Sequence, residues 1–262
     1  MRESSLITIN LSAVDRNMAV IRGIVGPECG LCPIVKADAY GLGAARIGKH
    51  LVQAGADMLA VYSPEQAGAL TRAGISCPVL VLMPIEEIGR TDDLYRWLVS
   101  GQLHLTVHDP DHLAALHRLA ERYGAVIPLH VEVDSGLSRG GSPPAVAARM
   151  IERIATTRWL RLAGVFTHFS NSRSDPARTE RQLEAFDAMV AGCAGAIPPE
   201  CAVHVASTHA MLRHHRFHRS MVRFGLAWAG YGMEDIEGGE IILEGEQLEP
   251  AVTWSSRVVQ LK

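Results

Sequence analysis

An apolar run, Leu31 to Val35, ends on one lysine, Lys36, and Tyr40 follows four residues later at the head of the turn Tyr40-Gly41-Leu42-Gly43. A lysine at the end of a buried strand is costly unless it has a partner or a task. The task that suits an amine there best is condensation with a carbonyl cofactor to give a Schiff base. The plain alternative is a strand-end lysine that reaches into water.

Other polar residues fall at the ends of similar apolar runs. Residues 127–134 end in Glu132 and Asp134, with Arg139 just beyond in Asp134-Ser135-Gly136-Leu137-Ser138-Arg139-Gly140-Gly141. Residues 162–168 bring Thr167 and His168; 202–207 bring His204 and Ser207, followed by Thr208; 222–228 bring Arg223 and Gly225. With 31–36, 58–62, 78–83 and 103–107 these make eight β-like runs. Amphipathic stretches at 44–55, 64–74, 110–123, 144–156, 176–192 and 209–214 lie between them, several opening on proline at the first turn. The runs read as apolar on both faces, as parallel strands covered on both sides do. Eight strands each followed by a helix predict an α/β fold, a (β/α)8 TIM-type barrel. An open doubly wound sheet is the alternative, and no GxGxxG fingerprint follows any strand to support it.

The two ends depart from the barrel. Residues 6–10 read as a strand and 12–24 as a helix. After Gly232, the acidic stretch 234–246 reads as a linker, and 250–261 alternates as a strand around Val252, Trp254, Val258 and Leu261. A lone alternating strand needs a sheet. It is expected either to begin a second, mostly β domain that has been cut off, or to pair with 6–10. The expected division is 1–10 as a strand of the β domain, 11–233 as the barrel, and 234–262 as linker and first strand of that domain.

In a barrel the chemistry sits at the C-terminal ends of the strands, with phosphate often bound after strands seven and eight. Lys36 would hold the aldehyde of pyridoxal phosphate. Ser207, Thr208 and the amides near Gly225 would cradle its phosphate, with a further hydrogen bond from Tyr40. Arg139 and Arg223 need anionic or acceptor partners, and the cofactor's phenolate oxygen and pyridine nitrogen are two. Each residue also has a bland reading. His168 and His204 suit hydrogen-bonded core histidines. Arg139 suits a salt bridge to Glu132 or Asp134, and Ser207 and Thr208 suit a helix cap. The cluster Arg213-His214-His215-Arg216-Phe217-His218-Arg219 reads as a solvated helix end and loop.

Bulk properties narrow the class. The 262 residues are 48% hydrophobic and 20% charged with a formal charge of −3, which disfavours a nucleic-acid or anionic-membrane binder. No apolar run reaches the roughly 18 residues of a membrane span. Five cysteines without a signal-peptide pattern predict reduced thiols in the cytoplasm. Cys29 and Cys32 have CxxC spacing with no second pair, so packing is expected of them rather than metal or redox work.

Four ordered segments resemble alanine racemases, the fold-type III pyridoxal phosphate family. They are Val35-Lys36-Ala37-Asp38-Ala39-Tyr40-Gly41-Leu42-Gly43, the stretch 130–140, Gly164-Val165-Phe166-Thr167-His168-Phe169, and Met221-Val222-Arg223-Phe224-Gly225-Leu226. The resemblance covers 6–262. It implies a barrel followed by a β domain, a homodimer, and interconversion of L- and D-alanine, the latter a supply for peptidoglycan. Lys36 would carry the cofactor and act as one of two acid/base groups. Arg139 would contact the phenolate oxygen and sit near the substrate carboxylate. Arg223 would face the pyridine nitrogen, braced by His168 and His204. Tyr40, Ser207, Thr208 and the amides of Gly225 and Leu226 would hold the phosphate. The family's second base is a tyrosine of the partner subunit's β domain, for which this sequence holds no match.

Four positions depart from the family pattern. Leu42 stands where histidine is usual. Glu132 stands where many members carry a carbamylated lysine, and is expected to serve as the anion that orients Arg139, with Asp134 nearby. Ser207 and Thr208 replace asparagine and serine. A non-catalytic pyridoxal phosphate carrier is the competing reading. A decarboxylase or aldolase on the same barrel ranks below both, because the decarboxylase signatures are absent.

Overall fold

A computed structural model describes residues 4–232, 242 and 247–261 of the chain. Ten strands are formed: β1 (Ser5–Ile9), β2 (Gly30–Pro33), β3 (Leu59–Val61), β4 (Val79–Val81), β5 (Leu103–Val107), β6 (Ile127–Glu132), β7 (Leu160–Phe166), β8 (Ala202–His204), β9 (Met221–Phe224) and β10 (Val252–Ser256). Strands β3 to β8 make a six-stranded parallel sheet in sequence order, and β2 pairs in parallel with β9. Two seams close the ring. The Val35 amide donates to the Ala60 carbonyl at 2.9 Å beside the Ile34–Ala60 bridge, and the Arg223 amide donates to the Ala206 carbonyl at 3.1 Å. The eight expected runs are therefore the eight strands of a parallel barrel.

The helices follow their sequence signals closely. Asp109 caps Pro110–Tyr123, and Asp175 caps Pro176–Gly192, each by accepting an amide from the first turn, with proline at the start of both helices. Apolar stripes such as Ala44, Ile47 and Leu51, or Met150, Ile151 and Ile154, pack on the outer face of the strands. Four expectations need correction. Helix Tyr95–Ser100, before β5, gave no periodic signal over its six residues. After β9 comes only the 3-10 turn Ala227–Ala229. The inner faces of β5, β6, β8 and β9 carry polar residues: His104, Thr106, His130, Glu132, His204 and Arg223 alternate with the outward apolar residues. The cluster 213–219 is a solvated end only in part: His214, His215, Arg216 and Arg219 are exposed, whereas Arg213, Phe217 and His218 are buried. Arg213 donates to the carbonyls of Ser172 and Arg173, and the His218 ring to that of Met211. No helix among the described residues is long and apolar enough to cross a membrane.

The ends of the chain meet. Strand β1 pairs antiparallel with β10, from Ser5 opposite Ser256 to Ile9 opposite Val252, which realises one of the two arrangements expected for the C-terminal strand. That strand is shorter than 250–261 and stops at Ser256. The expected linker 234–246 lies, apart from Ile242, outside the described residues.

Buried Asn17, on helix Leu11–Val25, ties this terminal segment to the barrel. Its amide group donates to the carbonyls of Trp228 (3.2 Å) and Glu249 (2.8 Å), and its oxygen accepts from the Glu249 amide at 2.7 Å. Removing the side chain strands three backbone groups. Asn17→Ala is expected to lower unfolding free energy by about 2–3 kcal/mol in a urea titration; an unchanged midpoint would contradict this accounting.

Candidate active site

An open cavity of about 720 Å³ lies at the C-terminal ends of the strands. Ten of the residues singled out from the sequence line it: Lys36, Tyr40, Glu132, Arg139, His168, Ser207, Thr208, Arg223, Gly225 and Leu226. His204 and Asp134 lie just behind its wall.

The lysine and tyrosine reach the cavity through an unusual turn. Ala37, Asp38, Ala39 and Tyr40 all have left-handed dihedrals, with φ of 49°, 55°, 54° and 59°. Each such non-glycine residue costs roughly 1–2 kcal/mol. The turn is held from both sides: the Ala39 amide donates to the Val35 carbonyl, and the Asp38 carboxylate and carbonyl accept from the amides of Ala44 and Gly43. Lys36 opens this turn and Tyr40 closes it. Tyr40 stacks on Trp228 with ring centroids 6.3 Å apart, and burial pushes its phenol up to about 12, so it remains a hydroxyl donor.

The Tyr40 hydroxyl abuts Gly225, where any Cβ would collide with it. Among the described residues the amides of Gly225 and Leu226 donate to no protein acceptor. Ser207 occupies the cap position of helix Thr208–Arg213 but makes no capping bond; its hydroxyl stands 3.5 Å from that of Ser172. Thr208 instead accepts from the Ala227 amide at 3.3 Å. Two unpaired amides, an uncommitted serine hydroxyl and a phenol around a glycine have the donor chemistry that a phosphate requires.

Arg223 is 4% exposed on the inner face of β9. Its guanidinium donates to the His204 carbonyl (2.9 Å), to His204 Nδ1 (2.5 Å) and to the Thr167 carbonyl (2.8 Å), and lies over the Phe166 ring at 4.7 Å. Burial lowers its pKa to about 10, still cationic at neutral pH. Behind it His204 meets His130 (2.9 Å), and His130 meets His104 (2.9 Å). Burial, and then neighbouring positive charge, holds His130 and His204 well below their usual value and His104 at about 4. His168 makes no hydrogen bond to Arg223, so the expected pair of bracing histidines reduces to His204, with the Thr167 carbonyl as the other anchor. His168 is held at about 3, by burial first and then by Arg223, Arg139 and Lys36, so three cations surround a neutral ring.

The acidic residues do something other than expected. Glu132 stands against His108, Nδ1 to Oε2 at 2.9 Å, and among the described residues neither it nor Asp134 pairs with Arg139. Asp134 accepts the amides of Gly136 and Ser138, both at 2.9 Å, and so shapes the loop that carries Arg139 into the cavity. Gly140 and Gly141 pack against Glu132, and a Cβ at either would press on it. The site therefore draws on His104, His108, His130 and Thr167, to which sequence reasoning gave no role. The available signal for the three histidines was their period-two placement with Thr106 and Glu132 along and just beyond β5 and β6.

The sequence profile described as alanine racemase, N-terminal domain, matches residues 9–233. The chain belongs to this family. It is 30% identical over 264 residues to an alanine racemase from Synechocystis sp., covering 100% of this chain and 68% of that protein. The structure of an alanine racemase from Clostridium difficile 630 in complex with cycloserine superposes with a TM-score of 0.85 at 25% identity, covering 100% of this chain and 70% of that one. An alanine racemase structure from Corynebacterium glutamicum gives 0.81 at 28% identity, with 98% and 70% covered. The chain thus spans about two thirds of the length of these alanine racemases.

Two outcomes follow from this geometry. Gly225→Ala displaces the Tyr40 hydroxyl, and is expected to weaken pyridoxal phosphate binding at least about tenfold in a fluorescence titration, by removing hydrogen bonds to a charged group. The buried histidines set an acid limit. Their folded pKa values lie below the ordinary 6.5, so below that pH the unfolded chain takes up protons that the folded chain refuses. Stability is full above pH 6.5 and is expected to fall as the pH drops to 5, by about 1.4 kcal/mol per pH unit for each such ring. Urea midpoints between pH 7 and 5 measure it, and a flat profile would contradict it.

Proposed function

We propose that this chain is the cofactor-binding barrel of a pyridoxal phosphate-dependent alanine racemase, an isomerase. The observation that carries the proposal is the meeting of Lys36, Arg139, Arg223 and the donor cluster around Gly225 in one cavity of a chain that belongs to this family. The full-length racemases it matches favour catalysis over the non-catalytic carrier reading.

When bound, pyridoxal phosphate supplies an aldehyde that links to an amine and a ring that draws electrons from an amino acid's α-carbon. The protein's own groups do the rest. Tyr40, Ser207, Thr208 and the amides of Gly225 and Leu226 hold the phosphate. Arg139, which has no carboxylate partner among the described residues, receives the substrate carboxylate and the phenolate oxygen. Arg223 donates a hydrogen bond to the pyridine nitrogen and keeps its own proton, which moderates the electron pull of the ring. Lys36 carries the cofactor and then moves the α-proton on its own face of the substrate. A racemase needs a second base on the opposite face, and the assignment here is to a tyrosine of the partner subunit in a homodimer. His168, neutral among three cations, acts as a spacer and not as a proton carrier. The setting is cytoplasmic, with D-alanine supplied for the cell wall.

Lys36→Ala is the direct test. The wild-type protein mixed with pyridoxal phosphate is expected to show an absorbance band near about 420 nm, and the variant to lack it. In a version joined to a racemase β domain that supplies the second base, alanine racemisation is expected to fall by at least about a thousandfold, the upper part of the range for an acid/base group. A variant that retains the band would move the reactive amine elsewhere.

A further inference from the structure

Arg223, His204, His130 and His104 form one unbroken file of side chains across the barrel interior, from the cavity wall on β9 to β5. A guanidinium only donates, so the His204 Nδ1 it contacts must carry a lone pair. A neutral ring with bare Nδ1 bears its hydrogen on Nε2. His204 Nε2–H therefore donates to His130 Nδ1, which in turn places the His130 hydrogen on Nε2, and that group donates to His104 Nδ1. The direction of every bond is dictated by the charge at one end. This assignment takes each ring as neutral, in keeping with the burial that holds all three below the usual histidine range.

The backbone is shaped around this file. At Gly164, opposite His130 on β7, any Cβ would collide with His130 Nδ1, the atom that accepts from His204. The pairing of β6 with β7 shifts register between Leu129 and His130, at the same point. Phe166 covers the cavity end, stacked on His204 at 4.9 Å and 14° while Arg223 lies over its ring. Three of the five guanidinium hydrogens are engaged, two by His204 and one by the Thr167 carbonyl, which leaves two for the cavity. Hydrogen bonds in a chain polarise one another, so each added ring makes His204 Nδ1 a better acceptor.

We propose that His104 and His130 are positioning residues for Arg223, acting through His204 as a one-directional file of Nε2–H tautomers that fixes how the guanidinium faces the cofactor ring. The second half of this statement rests on the functional reading above; the tautomers stand without it. Nitrogen-15 spectra of the imidazole rings in wild-type protein free of cofactor, at neutral pH and with assignments carried through from the backbone, decide the first half. All three rings are expected with hydrogen on Nε2 alone. An Nδ1–H tautomer or a doubly protonated ring at any of them overturns the proposal.

Cofactor binding decides the second half. His104→Leu removes the last acceptor. It is expected to weaken pyridoxal phosphate binding about fivefold and to shift the absorbance maximum of the bound cofactor, as the loss of one hydrogen bond would. His104→Asn places an oxygen where Nδ1 stood and is expected to restore both. Wild-type affinity and spectrum in His104→Leu, or equal defects in the two variants, overturn the file's reach to Arg223. A wild-type protein that takes up no cofactor would refute the functional reading, while the ring spectra would still judge the file.

Discussion

A permanent positive charge buried in the barrel constrains everything near it. The Arg223 guanidinium is buried in the cavity wall, and among the described residues no carboxylate makes an ion pair with it. Burying a charge that way is expensive unless its donors are used and its neighbours stay neutral or polarisable. The surroundings meet these conditions with two carbonyls, a ring nitrogen and an aromatic face, and with histidines too deeply buried to charge. The glycine at 164 and the register shift in β6 are backbone consequences of the same requirement.

The second constraint is local. Lys36 and Tyr40 face one cavity because the four residues from 37 to 40 wind left-handed, and Asp38 stitches that turn to the start of helix Ala44–Gln53. On the opposite wall Gly225 lacks the one atom that would strike the Tyr40 hydroxyl. The donor cluster is thus assembled from the ends of β2, β8 and β9, elements far apart in sequence and adjacent only because the barrel closes between β9 and β2. Ring closure and site assembly are the same event.

The barrel was legible because each strand was a short apolar run and four of the helices between them opened on proline, at Pro64, Pro110, Pro144 and Pro176. Lys36, Tyr40, Arg139, Arg223, Ser207 and Gly225 were legible as polar or glycine residues at strand ends, where a parallel barrel collects its chemistry. His104 and His130 were not, because a single histidine inside an apolar strand looks the same whether it packs, binds or relays. The partner of Glu132 was not legible either. The sequence offered Arg139 seven residues away, whereas folding brings His108 in from the neighbouring strand end. The left-handed turn gave no signal because Ala-Asp-Ala-Tyr contains no glycine to announce it.

That turn has a consequence for timing. Alanine at 37 and 39 gives the unfolded chain a strong bias toward the right-handed region, so an isolated peptide of this sequence would seldom wind the other way. The amine and the phenol are brought to face one another only when the surrounding cylinder is complete. A nascent or partly unravelled chain carries the same lysine and tyrosine but lacks the arrangement that brings both into one cavity, so the donor cluster exists only in molecules that have finished folding.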